Sequence, residues 1–396
     1  MDKIAIIGMS CLLPDAETPD AFWQNLIDGK DATSQATSRE IGTDARVFYD
    51  PEKGKTDRCY CFRGGYVRGF EFDPNGYRIP PDYLDGLDDT CKWSLYVSRQ
   101  ALMDSGYLDD ESDLSRCGVI LGNLSFPTRT SHRLITPIYR QALEPDLRRL
   151  LQQENFRLNR APDSEDPPPG AATGLQDPAS VVARGLGLGG AGFCLDAACA
   201  SSLYAVELAA RYLRCGSADL MLAGAVSCAH PLFVHMGFSI FQAYPENGKS
   251  APLDRSSGGL VAGEGAGVFV LKRYEDAVRD GDRIHAIVLG VGWSNDGRGK
   301  SVLRPSTKGQ VLALKRAYAC AGIAPESIGY LECHATGTPA GDVSEIDTMD
   351  SFFGGCGGPA SIGAVKSNLG HLLTAAGMAG MLWRRKRRSS GATEEG

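Results

Sequence analysis

The chain has 396 residues, of which 43% are hydrophobic and 22% charged, and a formal net charge of −7. That length suits two packed units better than one core, and the acidic balance excludes a general nucleic-acid surface. The 48 glycines follow no collagen-like period, so they point to tight turns and close backbone packing around buried strands.

The 12 cysteines follow no disulfide-framework spacing. Cys59 and Cys61 are too close for a CxxC pair and no second pair answers them, so no metal site is expected. The thiols read as reduced and mostly buried, in a cytoplasmic protein. The first 13 residues carry no basic leader and are interrupted by Gly8, so no signal peptide is expected. Residues 220–243 lack any Asp, Glu, Lys or Arg but contain His230, Pro231 and His235. A buried strand leading into an active-site loop is expected there, not a membrane span.

In chain order, residues 4–8 read as a buried strand and 19–26 as a helix. Residues 88–105 carry a long helical pattern closed by Gly106, and 118–122 form another buried strand. A charged helix is expected over 149–160, followed by a Pro-rich surface loop over 161–170. The pattern then tightens into strand 193–198, helix 201–215 and strands 220–226 and 266–272. A similar series follows: strand 284–291, helix 309–320, strand 329–333, helix 343–353 and strand 361–366. Short apolar runs alternating with helices define an α/β fold with mostly buried strands, and the two series suggest a structural duplication.

Three segments carry chemistry. In Asp196-Ala-Ala-Cys199-Ala-Ser-Ser-Leu203 a cysteine stands between a predicted strand and a predicted helix. The turn exposes its sulfur, and a helix N-terminus there stabilises a thiolate. On this segment alone a buried structural cysteine fits equally well. Glu332-Cys-His334-Ala-Thr-Gly-Thr338 and Lys366-Ser-Asn-Leu-Gly-His371 each place a histidine just past a strand. Two such histidines can converge at one end of a sheet and stabilise charge developing on a carbonyl oxygen.

Cysteine, then His-x-Thr-Gly-Thr, then Lys-Ser-Asn-x-Gly-His, in that order, resembles the ketosynthase (β-ketoacyl-acyl-carrier-protein synthase) family. The likeness is strongest to the domains of polyketide and polyunsaturated fatty acid synthases. Supporting segments are Asn247-Gly-Lys-Ser-Ala-Pro-Leu-Asp254 and Gly259-Leu-Val-Ala-Gly-Glu-Gly-Ala-Gly267, and the resemblance runs from about residue 2 to 381. It implies a thiolase-like five-layer αβαβα fold of two duplicated halves, here 2–275 and 282–381, usually as a homodimer. It implies that Cys199 accepts an acyl group from a carrier-protein thioester. His334 and His371 would hold the carbonyl of a malonyl-type extender and assist its decarboxylation, and a Claisen condensation would follow. Lys366 would orient the site electrostatically through the loop bearing Glu345, with Asn368 in support. Thr336 and Thr338 would bind the phosphopantetheine arm of an acyl carrier protein, and no cofactor would be bound by the chain itself.

Decoy subunits of the family lack the cysteine, so Cys199 favours an enzyme over the alternative, an inactive acyl-binding or dimerisation subunit. Two departures from the family pattern are mild: Ala335 replaces a glycine, which matters only if the backbone there needs positive φ, and Ala200 replaces a serine. Residues 382–396 depart altogether, forming a basic tail with Arg384-Arg-Lys-Arg-Arg388. The family's last two strands and a glycine-rich oxyanion loop are expected to be missing, as from a truncation or frameshift near Met381. Gly185-Leu-Gly-Leu-Gly-Gly190 matches a dinucleotide fingerprint, but a predicted strand follows it where that motif needs a helix. Ser105 ends a helix and reads as a cap, not a carrier attachment site.

Overall fold

The computed structural model describes residues 3–108, 113–158, 176–298, 304–355, 357–359 and 361–389, with residues 383–389 as backbone. Ten strands are assigned among them: β1 (Ile4–Leu12), β2 (Thr33–Gln35), β3 (Arg63–Gly65), β4 (Cys117–Gly122), β5 (Gly192–Leu195), β6 (Leu220–Ser227), β7 (Gly265–Arg273), β8 (Ala286–Val288), β9 (Tyr330–Glu332) and β10 (Ser361–Gly363). The helices are α1 (Pro19–Ile27), α2 (Ser38–Ile41), α3 (Pro81–Asp85), α4 (Asp89–Ser105), α5 (Arg129–Leu151), α6 (Pro178–Leu186), α7 (Ser201–Arg214), α8 (Pro231–Ile240), α9 (Tyr274–Arg279), α10 (Thr307–Ala321), α11 (Pro339–Phe353), α12 (Lys366–Leu369) and α13 (Ala376–Ser389).

Six strands form one mixed sheet in the order β5-β4-β6-β7-β1-β8. β4 runs parallel to β5 and β6, whereas β7 is antiparallel to β6 and β1. Its four inner strands, β4, β6, β7 and β1, are buried on both faces, so their residues alternate between two cores rather than between core and water. Ala5, Ile7, Val119, Leu121 and Leu222 face a core shared with α4 and α6. Ile4, Ile6, Ile120, Met221 and Ala223 face a second core built with α7 and α13. Val365 and Leu369 join that second core from beyond it, and β9 and β10 form a parallel two-stranded sheet there. α10 and α11 complete the layering, tied together by the Thr348 hydroxyl donating to Gln310 Oε1 at 2.6 Å.

The duplication suggested by the sequence is visible in the topology. The parallel pair β4/β5 leads into the turn bearing Cys199 and then α7. The parallel pair β9/β10 leads into the turn bearing His371 and then α13. α7 and α13 share the central helical layer in close contact, and Met378 N–H donates to Ser202 Oγ at 3.1 Å.

Several expectations are corrected. The helix expected over 149–160 lies instead at Arg129–Leu151, and 152–158 is not helical. Pro137 and Pro145 interrupt its sequence pattern, and a proline removes one backbone donor. An N-terminal capping box, in which Thr128 and Ser131 exchange bonds, starts the helix regardless. The loop expected over 161–170 lies outside the described residues. The segment after β6 is a helix, α8, opened by Pro231 at its first turn, not a loop. α6, unforeseen, precedes Gly187, whose φ of 72° ends it in the left-handed region. Strand β5 follows that glycine run, as expected. Among the described residues no helix is long and apolar enough to cross a membrane.

Candidate active site

Cys199 lies in a single 3-10 turn, Ala198–Ala200, between β5 and α7. The turn is held from both sides. Asp196 Oδ1 accepts from Ala198 N–H at 2.9 Å, and Ser201 Oγ accepts from Ala197 N–H at 2.9 Å while donating to Ala198 O at 2.7 Å. Ala198 sits at φ +50°, a left-handed conformation that costs an alanine about 1–2 kcal/mol. The turn thereby stores strain next to the sulfur.

His334 follows β9 and is positioned through its backbone. Glu345, on α11, accepts from the N–H of His334 through Oε1 and of Ala335 through Oε2, both at 2.6 Å. Ala335 has φ +30°, so the methyl that replaces the family's glycine does sit where a side chain is disfavoured. Gly337, at φ +88°, donates its N–H to Asp342 Oδ1 at 3.1 Å, and its carbonyl accepts from Gly259 N–H at 2.8 Å. The 259–267 segment thus braces this loop. Thr336 and Thr338 pair their hydroxyls at 3.1 Å on the same loop.

His371 is clamped by a bridge to the same segment. Its N–H donates to Val261 O at 2.6 Å, and its carbonyl accepts from Gly263 N–H at 2.9 Å. The turn before it depends on Gly65, because a Cβ there would meet Leu369 O at 2.1 Å. Asn368 faces away from the chemistry: its side chain donates to Lys30 O at 3.2 Å, tying the 366–371 turn to the N-terminal region.

The three candidate residues converge. His371 Nε2 is 3.0 Å from Cys199 Sγ. The His334 and His371 rings are nearly perpendicular, with centroids 5.4 Å apart. One donor atom from each of Cys199, His334 and His371 lies within 4.8 Å of the others. His371 is buried, Cys199 half-buried and His334 exposed at the mouth. His371 Nδ1 is buried without an acceptor, which favours the tautomer with its proton on Nε2, aimed at the sulfur.

Lys366 is buried behind them, its Nζ donating to Cys333 O at 3.3 Å. Burial pushes its pKa down, and the carboxylates of Glu332 and Glu345 oppose that. Glu332 went unassigned in the sequence. It accepts from Val365 N–H at 2.9 Å and from Tyr330 Oη–H at 2.6 Å, joining the β9 end to the β10 end. Its place directly before the Cys-His pair was the available signal. Burial, with the nearby His334 ring and the Lys366 charge, presses the His371 pKa well below the usual range; His334 is pushed the same way by the crowding of its cleft and by Lys366, although its outer side meets solvent. Both rings are therefore neutral at pH 7. The Cys199 thiol is pushed up by burial, with Lys366 opposing. The resting group is therefore a thiol.

A strained cysteine turn faces two neutral imidazoles at the strand ends of a duplicated α/β fold, and comparison with known proteins gives that arrangement its class. Residues 1–277 match the beta-ketoacyl synthase N-terminal domain and residues 285–383 its C-terminal domain, so the chain belongs to the beta-ketoacyl synthase family. It is 36% identical over 383 residues to one of the subunits of a polyunsaturated fatty acid synthase from Thraustochytrium sp. (strain ATCC 26185 / S-3), covering 96% of this chain and 18% of the relative. It is 32% identical to one of the subunits of a phenolphthiocerol/phthiocerol polyketide synthase from Mycobacterium tuberculosis, covering 96% of this chain and 23% of that protein. The chain thus spans about a fifth of the length of these relatives. Among solved structures, the PfaC keto synthase-chain length factor matches with a TM-score of 0.93 and 51% identity, over 97% of this chain and 41% of the other. The OzmH ketosynthase domain of Streptomyces albus JA3453 matches with a TM-score of 0.80 and 28% identity, over 98% and 62%.

Proposed function

We propose that this chain carries out the decarboxylative Claisen condensation of fatty acid or polyketide assembly, as an acyltransferase of the β-ketoacyl-acyl-carrier-protein synthase type. The convergence of Cys199, His334 and His371 within 4.8 Å carries the reading. In the first half-reaction the Cys199 sulfur attacks an acyl thioester, a new C–S bond forms, and the carrier thiol leaves with the proton. In the second, a malonyl-type thioester places its carbonyl oxygen against the Nε2–H groups of His334 and His371. Its carboxylate leaves as carbon dioxide, and the electron pair of the broken C–C bond moves onto the α-carbon and that oxygen. The carbanion attacks the acyl carbon and Cys199 departs as thiolate. Two neutral imidazole donors suit this step, because they stabilise an oxyanion without needing to lose or gain a proton.

Lys366 supplies a fixed positive charge behind both half-reactions, and Glu345 positions His334. Thr336 and Thr338, on the loop before α11, would bind the phosphopantetheine arm of an acyl carrier protein. A dimer fits the exposed edge of β5, whose outer backbone groups have no strand partner among the described residues. The acidic, reduced-thiol character fits work in the cytoplasm.

The test is malonyl-carrier decarboxylation and acyl transfer by the purified chain. Acyl-Cys199 should form with wild-type protein, and Cys199→Ala should abolish condensation while still decarboxylating. Decarboxylation should fall about 10²–10³-fold in His371→Ala, as for loss of one oxyanion donor. Stable folding of wild-type protein with neither an acyl adduct nor carbon dioxide release would favour the inactive acyl-binding alternative.

A further inference from the structure

Neither the spacing of the cysteines nor that of the histidines suggests a metal, because the relevant residues lie in three distant motifs. The fold nevertheless brings together one thiol and two imidazoles, Cys199, His334 and His371, with ligand atoms within 4.8 Å of one another. We infer that this triad is also a reversible binding site for a thiophilic divalent cation, zinc(II) foremost, which closes the nucleophile to acylation.

The donor set is the first argument. Thiolate and imidazole are the usual zinc ligands, and three protein ligands with an open fourth position form the pattern of accessible zinc sites. The same set discriminates against magnesium and calcium, which prefer oxygen. Geometry is the second. Bond lengths of about 2.0–2.3 Å to a tetrahedral ion put neighbouring donors about 3.5 Å apart. The Cys199–His371 separation of 3.0 Å must open slightly, and the widest separation must close by about 1 Å. His334 can supply most of that adjustment. Glu345 fixes its backbone, but its ring stands at the solvent-exposed mouth. Access is the third argument: the sulfur is only half-buried and His334 beside it is solvent-exposed, so the triad meets water on that side.

Two features oppose binding and keep the affinity below that of a structural zinc site. Lys366 places a positive charge behind the triad, only partly offset by Glu332 and Glu345. When Nε2 of His371 holds the ion, the proton must sit on Nδ1, which has no acceptor here. Binding breaks the Cys199 S–H bond and forms a metal–sulfur bond. The proton passes to water, and the ion gives up hydration waters as the imidazole lone pairs coordinate. No electron transfer is involved. A sulfur bound to metal cannot attack a thioester, and a sulfur carrying an acyl group offers no thiolate, so acylation and metal occupancy exclude one another.

The test is titration of the purified chain with cobalt(II) in the absence of thiol reductants. One equivalent should give sulfur-to-cobalt charge-transfer absorption together with the strong visible bands of a tetrahedral centre. Cys199→Ala should lack the charge-transfer band, and His334→Ala or His371→Ala should weaken binding by more than about 100-fold, the upper range for loss of an outer-shell partner. In the unmutated chain, zinc should slow iodoacetamide labelling of Cys199, and a chelator should restore it. An unchanged cobalt spectrum in Cys199→Ala, or equal labelling of Cys199 with and without zinc, overturns the inference. Neither readout needs condensing activity, so failure here is separable from failure of the proposed function.

Discussion

His371 Nε2 stands 3.0 Å from Cys199 Sγ, although 172 positions separate the two residues in sequence. Each sits past the second strand of a parallel pair, at the head of a helix in the shared central layer. The duplicated topology therefore makes the contact, and the site exists only when both halves dock.

The first prediction concerns the state of that sulfur. Burial raises the Cys199 pKa and the Lys366 charge lowers it. The thiol thus stays protonated at neutral pH, and its reactivity should rise with pH through an inflection above that of free cysteine. Lys366→Met should move the inflection higher and slow alkylation at any fixed pH below it. Mass-spectrometric rates of Cys199 labelling across a pH series check this; an inflection below that of free cysteine in wild-type protein contradicts it.

A second prediction follows from Ala335. At φ +30° its methyl is disfavoured, so Ala335→Gly should relieve strain. After the entropy that glycine returns to the unfolded chain, the net gain should reach up to about 1 kcal/mol. Urea unfolding measures it, and a lower midpoint in the glycine variant counts against the strained reading.

Third, Glu345 holds the N–H groups of both His334 and Ala335. Glu345→Ala leaves two donors without their acceptor, at a cost of about 1–3 kcal/mol each where they are shielded from water. It should also lower the decarboxylation kcat, because His334 loses its position. Glu345→Gln keeps one acceptor oxygen and should recover part of kcat. If the two variants are equally slow while equally folded, Glu345 does not act through the loop.

The catalytic candidates were legible in sequence because their chemistry is local: each motif ends a strand and begins a helix or turn. Their surroundings were not. Glu332, which joins the two strand ends beneath His334 and Lys366, reads in sequence as an ordinary strand residue. Helix α5 was misplaced because Pro137 and Pro145 mask it, whereas a capping box between Thr128 and Ser131 starts it. The raised thiol pKa was missed because a helix N-terminus is visible in a sequence and the degree of burial is not. Asn368, read from sequence as a supporting residue, ties the 366–371 turn to Lys30 O, a partner that lies far away in sequence.

The last prediction concerns Glu264, in the glycine-rich segment that braces both histidine loops. Its carboxyl is buried; its Oε1 accepts from Val67 N–H at 3.1 Å, and Arg129 Nη2 lies 3.7 Å from its Oε2. Burial pushes its pKa up to about 7, with Arg129 opposing. Because the folded value lies above the unfolded one, the folded state keeps a proton that the unfolded chain has already lost. The Glu264 contribution to stability is therefore greatest below the unfolded pKa and declines as pH rises from about 4.5 to about 7. The full loss is on the order of 3 kcal/mol. Glu264→Gln stays neutral throughout, so its stability should fall less across that window, and the gap should widen steadily in its favour as pH rises. Unfolding free energies of both proteins between pH 5 and pH 8 decide the matter: parallel curves would show that Arg129 keeps Glu264 ionised throughout.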